Sequence, residues 1–410
     1  MKVYLVGGAV RDHLLGLPVR ERDWVVVGGS PEALLQKKYR QVGRDFPVFL
    51  HPETQEEYAL ARMERKAAPG YYGFICDFNP NVTLAEDLLR RDLTINAMAM
   101  DEQGQIIDPY HGQEDLRNKW LRHVSWAFTE DPVRVLRVAR FAARFYSLGF
   151  RVANETRLLM YQMVQNKELE ALVAERVWQE WQRSLCEPHP EQFLLVLRAC
   201  GALRVILPEL DALFGVPIAS LSSLPVEKDS GLRALLVLQR AAQLSPDPVI
   251  RFAALLQDLG NAQAPISSWP LSFTDSKQSV SLIQALGERL RVPKEYTTLA
   301  VLAARYHRVL NQIKEQDALS LVTVLEGLDA FRRPHLLSQL LLVCQAGFTV
   351  RQPEEPYPQA ALWTTLLAEC AKVAVDDIIA DGHQGQAIKQ ELHQRRLARI
   401  ESLITLWKTE

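Results

Sequence analysis

An apolar run, Val3–Val6, ends on Gly7-Gly8, continues into Ala9-Val10-Arg11-Asp12, and is answered by a second apolar run, Trp24–Val27, entered through Glu21-Arg22-Asp23. A β-rich segment, a glycine turn, a helix start and a returning β-rich segment restrict the N-terminal part of the chain to a sheet with a helix packed on it. Backbone N–H groups of glycine can approach a phosphate where a Cβ would obstruct it, and the start of a helix adds partial positive charge. Alternate residues on a strand share a face. Glu21 and Asp23 are therefore expected side by side, as a carboxylate pair able to hold a divalent cation.

A chain of 410 residues has room for about two to four packed units. With 48% hydrophobic and 23% charged residues it is an ordinary globular composition. The formal net charge of -2 excludes a global basic field, so a nucleic-acid partner has to be attracted by local patches. The five cysteines (Cys76, Cys186, Cys200, Cys344 and Cys370) are far apart and form no CxxC. They read as reduced thiols rather than a zinc site or a disulfide frame. Met1–Val6 is too short for a signal peptide, and no apolar run approaches the roughly 20 residues of a membrane span. The expected location is cytoplasmic, with no membrane partner.

Strand signals fall at Val3–Val6, Trp24–Val27, Pro47–Leu50, Glu57–Ala61 and Gln105–Ile107, and helix signals at Arg11–Leu15 and Leu84–Met100. After Val124 the strand signals nearly vanish and helical spacing takes over, broken by Gly and Pro and by loop-like stretches at about Gly215–Asp229 and Gln263–Ser276. The chain thus divides into an α/β head and a long helical remainder.

Three further clusters bear chemistry. Arg90-Arg91-Asp92-Leu93-Thr94-Ile95-Asn96 sets Arg91 and Asn96 among apolar residues. Guanidinium forks suit a triphosphate, although an Arg-Arg-Asp run by itself is equally well a solvated helix face. Glu130-Asp131-Pro132-Val133-Arg134 reads as a capped helix start, and Arg134, Arg137, Arg140 and Arg144 continue from it as one basic stripe. An Asp acceptor beside an Arg donor matches an amino group beside a ring acceptor nitrogen, the edge that cytosine and adenine present and that uracil and guanine reverse. Glu175-Arg176-Val177-Trp178-Gln179-Glu180 is expected to buttress that cluster by ion pairs. Asp101–Gly104 and Asp108–Gly112 read as a hairpin turn and a strand exit.

In this order and spacing, Gly7-Gly8-Ala9-Val10-Arg11-Asp12 with Glu21-x-Asp23, Arg90-Arg91-Asp92-x-Thr94-x-Asn96-Ala97, Asp108-Pro109, Glu130-Asp131-x-x-Arg134 and Glu175-Arg176-x-x-x-Glu180 resemble the class II bacterial CCA-adding enzymes, tRNA nucleotidyltransferases of the gammaproteobacterial branch. The resemblance implies an α+β chain: a polymerase-β-like head with a small mixed sheet, then an all-α neck, body and tail. We set the parts at 1–125, 126–215, 216–330 and 331–410. It implies that Glu21 and Asp23 hold Mg²⁺, two ions bridging the carboxylates, the tRNA 3′-hydroxyl and the triphosphate. Gly8, Arg11, Arg91, Asp92 and Asn96 then lie at the nucleotide. Asp131 and Arg134 fall on the family's protein template for CTP and ATP, and Arg137 and Arg140 are expected to bind the nucleotide with them. Ala61–Tyr72, with Arg62, Glu64, Arg65, Lys66 and Gly70, falls on its flexible loop. The expected partners are tRNA, CTP and ATP, and the expected state is a monomer or weak dimer.

The chain departs from the family pattern twice. Glu21 stands where the family has Asp, one methylene longer. This keeps open an impaired tRNA-binding paralogue, and the shared motifs keep open an A-adding enzyme. Where relatives carry an HD-type phosphohydrolase domain with an adjacent His-Asp pair, this chain reads Leu256-Gln257-Asp258-Leu259, and glutamine is a poor metal ligand. An HD-like scaffold without phosphatase activity is expected over about 225–330, with His307 as a surface or packing residue. The helix carrying Arg395, Arg396 and Arg399 is expected either to pack or to touch the tRNA backbone.

Overall fold

The computed structural model describes residues 1–42, 48–66, 74–77, 79–219, 229–271, 275–352 and 354–407. The chain forms two compact units, Met1–Ile206 and Leu207–Glu410.

In the first unit, β1 (Lys2–Val6) leads through Gly7 into α1 (Gly8–Leu14), and the chain returns as β2 (Asp23–Val27). After α2 (Pro31–Gln36) come β3 (Arg40–Val42), β4 (Val48–Leu50) and β5 (Glu57–Leu60). A hairpin of β6 (Met63–Lys66) and β7 (Phe74–Asp77) precedes α3 (Leu84–Leu89), β8 (Ala99–Met100) and β9 (Ile106–Ile107). The main sheet has the order β3-β4-β5-β2-β1-β8-β9. It is mixed, because β2 pairs parallel with β5 while the other neighbours run antiparallel. Successive residues of β2 face opposite sides, as strand pleating requires. Val25 enters a cluster with Val6, Leu88, Ala97 and Ala99, and Val26 enters one with Leu34, Phe49, Tyr58 and Leu60. Register sets Val6 opposite Asp23, so the start of β2 lies beside the glycine turn.

The helix expected over Leu84–Met100 is corrected. It ends at Leu89, and the chain continues through a 3-10 turn, Thr94–Asn96, into β8. The Asp92 carboxylate accepts the Leu93 N–H, and Leu93 pairs in a bridge with His123 while the Thr94 N–H goes to the Arg122 carbonyl. A side chain that captures a nearby backbone N–H competes with the helix, and Thr and Ile are stiff in it. The hairpin turn is as read. Asp101 accepts from the Gln103 and Gln105 amides, and Gly104 sits at φ 80°. Asp108 caps α4 (Gly112–Asn118) through Gly112 and Gln113. Of the expected loop Ala61–Tyr72, residues 67–72, Gly70 among them, lie outside the described residues.

Beyond β10 (Trp120–Leu121), which pairs with β11 (Arg151–Val152), the unit is helical. α5 (Val133–Phe145) buries Val135, Leu136, Val138, Ala139 and Phe145. It packs against α7 (Ala174–Leu185) and α8 (Pro190–Ala199), with α6 (Asn154–Gln165) between in sequence and α9 (Ala202–Ile206) closing the unit.

The second unit runs through α10 (Pro208–Asp211), α11 (Ser230–Leu244), α12 (Pro248–Leu256), α13 (Ser276–Arg289), α14 (Lys294–Asn311), α15 (Ala318–Gly327), α16 (Pro334–Arg351), α17 (Gln359–Ala371), α18 (Val375–Ala380) and α19 (Gln386–Trp407). Asp229, Asp247, Asp275 and Asp317 cap four of these helices by accepting first-turn N–H groups. α11, α12, α14 and α16 pack together, and α15, α17 and α18 pack on α19. Among the described residues no helix is long and apolar enough to cross a membrane.

Candidate active site

One cleft of about 1160 Å³ in the first unit is lined by Gly8, Arg11, Glu21, Asp23, Arg91, Asp92, Asn96, Asp131, Arg134, Arg137 and Arg140. Every site residue expected from sequence is thus brought to a single surface.

The turn comes first. Gly7 adopts φ 71°, and a Cβ there would stand 2.8 Å from Arg91 Nη1. Gly7, rather than Gly8, is therefore the position that requires glycine twice over, for its backbone and for the approach of Arg91. Asp23 opens β2 beside this turn, and Glu21 lies just before the strand rather than on it, so the expected strand alternation does not relate the two. Glu21 still acts on Asp23. Crowding by the surrounding chain pushes the Asp23 carboxyl up, Arg91 pulls it down, and Glu21 raises it further. Among the described residues no group of three or more His, Cys, Asp or Glu is gathered at a point. A pair of carboxylates fits a hard cation that completes its shell with water and phosphate oxygen, and not a closed metal cage.

Arg91 is set by Asp87, which sequence reading did not single out. Fully buried, Asp87 accepts Arg90 Nη2 at 2.9 Å, Arg91 Nη2 at 3.4 Å and the Arg62 amide at 3.3 Å. Burial alone would raise its carboxyl, but Arg90 and Arg91 outweigh it and hold it below the usual range. The signal was in the sequence, since Asp87 stands three and four residues before the two arginines.

Arg11, Asp92 and Asn96 are buried and joined in a chain of bonds. Arg144 Nη2 donates to Asp12 Oδ2 at 2.9 Å, and Arg11 Nε to Asp12 Oδ1 at 2.8 Å. Arg11 Nη1 donates to Asn96 Oδ1, Asn96 Nδ2 to Asp92 Oδ1 at 2.9 Å, and Arg137 Nε to Asp92 Oδ2 at 2.7 Å. These three residues line the cleft and hold one another in place there. The guanidinium of Arg11 also lies over the rings of Phe141 and Phe145, at 5.2 and 5.0 Å. The arginine stripe of α5 is likewise no solvated face. Arg137 and Arg144 meet the head carboxylates, and Arg140 meets Glu180 at 2.7 Å and Glu187 at 3.7 Å.

Asp131 caps Val133 N–H with Oδ1 and receives Arg176 in bidentate form, at 3.0 and 2.7 Å. With Arg140–Glu180, this supplies the ion pairs expected of the Glu175–Glu180 segment. Arg134 follows one turn on, but its Nη1 donates to the Ala127 carbonyl and its Nη2 to the Arg90 carbonyl at 2.7 Å. It thereby ties the end of α3 to the 3-10 turn Trp126–Glu130.

In the second unit, Gln257, Asp258 and His307 line a separate cavity of about 310 Å³. His307, expected as a surface or packing residue, lies half-buried beside Asp258. Its Nδ1 donates to the Ala303 carbonyl at 2.8 Å and its Nε2 stands 3.4 Å from Asp258. Gln257 lies buried against Gly347 of α16. One carboxylate and one imidazole do not make the donor set of a metallophosphohydrolase.

Residues 3–122 match the family described as Poly A polymerase head domain, and residues 149–214 match the probable RNA and SrmB-binding site of polymerase A. The chain is 59% identical over 409 residues to the multifunctional CCA protein of Legionella pneumophila (strain Lens), covering 100% of this chain and 99% of that one. It is 53% identical over 405 residues to that of Vibrio cholerae serotype O1 (strain M66-2), covering 98% and 100%. In fold it is similar to a Thermotoga maritima CCA-adding enzyme complexed with tRNA, with a TM-score of 0.63, 20% identity and coverage of 98% and 87%.

Proposed function

We propose that this chain, which belongs to the multifunctional CCA protein family, adds and repairs the 3′-terminal CCA of tRNA from CTP and ATP without a nucleic-acid template, releasing pyrophosphate. The observation that carries the reading is the single cleft on which the Glu21–Asp23 pair, the Gly7-Gly8 turn, Arg91 and the Asp131–Arg134 pair converge. The polymerase-like head and helical remainder shared with CCA-adding enzymes support it, as does near-full-length identity to the curated relatives. We take 1–125 as catalytic head, 126–215 as neck, 216–330 as HD-like body and 331–410 as tail. A cytoplasmic monomer or weak dimer fits the composition.

Glu21 and Asp23 would hold Mg²⁺, which when bound lowers the pKa of the attacking hydroxyl and stabilises charge on the leaving pyrophosphate. The chain's own residues do the rest. Arg91, held over the turn by Asp87, presents donors toward the triphosphate. Gly7 and Gly8 leave room for it. Asp131 Oδ2 accepts one Arg176 N–H and has a second lone pair for a base amino hydrogen. Arg134, anchored on two carbonyls, stands one turn away as the donor for a ring nitrogen. A base with the reversed edge would set carbonyl against carboxylate, which is costly where such groups lose water to one another.

The test is to sequence the products after incubating tRNA lacking CCA with CTP, ATP and Mg²⁺. Addition of C, C and A is expected. Incorporation of A alone would establish an A-adding enzyme, and no incorporation would establish the impaired paralogue that Glu21 raises. No phosphohydrolase activity is assigned to the second unit. Incubation with 2′,3′-cyclic nucleotides and Ni²⁺ or Mg²⁺ is expected to give no product, and a signal abolished by Asp258→Ala would overturn that.

A further inference from the structure

Trp126 is the most exposed large aromatic side chain among the described residues, with 73% of its surface open. An indole left bare on a turn bonded to a cleft residue is more informative than scattered exposed apolar groups elsewhere. Its backbone is tightly held. Ser125 Oγ donates to the Leu89 carbonyl at 3.0 Å and accepts the Ala127 N–H at 3.2 Å, and Thr129 Oγ1 donates to the Trp126 carbonyl at 2.9 Å. Two residues on, Phe128 is fully buried and packs edge-on to His123 at 5.9 Å. The 3-10 turn is therefore pinned from below by Phe128, while Trp126 projects outward. Leu89, whose carbonyl accepts Ser125 Oγ of the same turn, is itself 40% exposed.

The placement of the turn gives this patch its meaning. Arg134, the residue read as donor to the incoming base, donates to the carbonyl of Ala127, immediately after Trp126, and to that of Arg90, immediately after Leu89. The turn that carries Trp126 and the end of the helix that carries Leu89 are thus both tied to Arg134, a residue lining the cleft. A strand passing the turn that Arg134 holds would meet this fixed indole face. Base–aromatic stacking is tolerant of sequence, because every base offers a π-face. A growing 3′ end needs that tolerance, since its last base changes at each addition.

We propose that Trp126, flanked by Leu89, is a stacking platform for a nucleobase at the 3′ end of the RNA being extended. The proposal rests on the function inferred above, and its test is separable from that function. A tRNA lacking CCA, with 2-aminopurine at its 3′-terminal nucleotide, is titrated with full-length wild type, Trp126→Ala and Trp126→Phe. Fluorescence reports stacking and anisotropy reports affinity, with CMP incorporation followed in parallel. Wild type is expected to quench the 2-aminopurine. Trp126→Ala should lose that quenching and weaken tRNA binding about five- to 150-fold, the range for one lost base–aromatic stack. Trp126→Phe should recover most of both. Unchanged quenching and affinity in Trp126→Ala, or a Trp126→Phe as defective as Trp126→Ala, would overturn the platform while leaving incorporation to stand. Trp126-dependent quenching by a wild type that incorporates no nucleotide would instead overturn the functional reading and leave the platform.

Discussion

Asp92 takes Arg137 on one oxygen and the Asn96 side chain with the Leu93 amide on the other. Burial would raise its carboxyl, but the Arg137 charge and these hydrogen bonds outweigh it and hold the group far below the usual carboxylate range. A carboxyl depressed in the folded state stabilises the fold above its unfolded pKa of about 3.9, and that contribution is lost as pH falls toward the folded value. Asp92→Asn keeps the shape and removes the charge, leaving Arg137 without its partner. Because Arg137 is about a third open, the cost should be about 2 kcal/mol rather than the full penalty of a broken buried pair. Denaturant unfolding at pH 7 should show that loss, and the gap between wild type and variant should narrow below about pH 4. A gap that widened on acidification would remove Asp92 from this role. Glu21 sits in irregular chain before β2, where the backbone can shift to accommodate one extra methylene. Glu21→Asp should therefore change kcat by less than about tenfold, or about 1.4 kcal/mol in barrier. A gain of about a hundredfold would show that the longer side chain is misplaced by about 1 Å.

At the scale of elements, α19 shows which of two readings of a basic helix applies. Its arginines are spent within the second unit. Arg396 bonds Glu326 at 3.2 Å and lies 3.5 Å over the Phe331 ring, Arg399 bonds Glu369 at 2.9 Å, and Arg395 bonds Glu391 at 2.8 Å. Arg396→Ala should destabilise the protein by about 1–3 kcal/mol and leave KM for tRNA within about twofold. A raised KM at unchanged stability would restore the tRNA-contact reading. Neither role could be chosen from sequence, because acidic partners 70 and 30 residues distant are not visible in helical spacing. The same limit applies in the head. The Gly7 turn, β1, β2, the Asp101 hairpin and the start of α5 were legible because each is decided by neighbours a few residues apart. Arg144–Asp12 spans 132 residues and was not. The chain from Leu84 to Met100 was misread because its apolar residues keep helical spacing past Leu89, while Asp92 and the bridge to His123 draw the backbone elsewhere.

For the whole molecule, a net charge of -2 constrains how RNA can be held. The site residues were legible as a set, but their pairing changes the electrostatics. Arg137, Arg140, Arg144 and Arg176 each face a carboxylate, so the cleft is far less cationic than a count of its arginines suggests. Binding of tRNA should then displace few counterions. With about two to four phosphates neutralised, a rise from 50 to 200 mM salt should weaken affinity about ten- to a hundredfold, against the 10³–10⁵ expected for six to ten contacts. Equilibrium binding of tRNA lacking CCA across that range decides the matter. A loss of 10³ or more would mean that a broad basic surface outside the cleft grips the RNA. A loss near tenfold would mean that shape, stacking and base contacts carry most of the affinity, as a cleft of paired arginines beside an exposed indole implies.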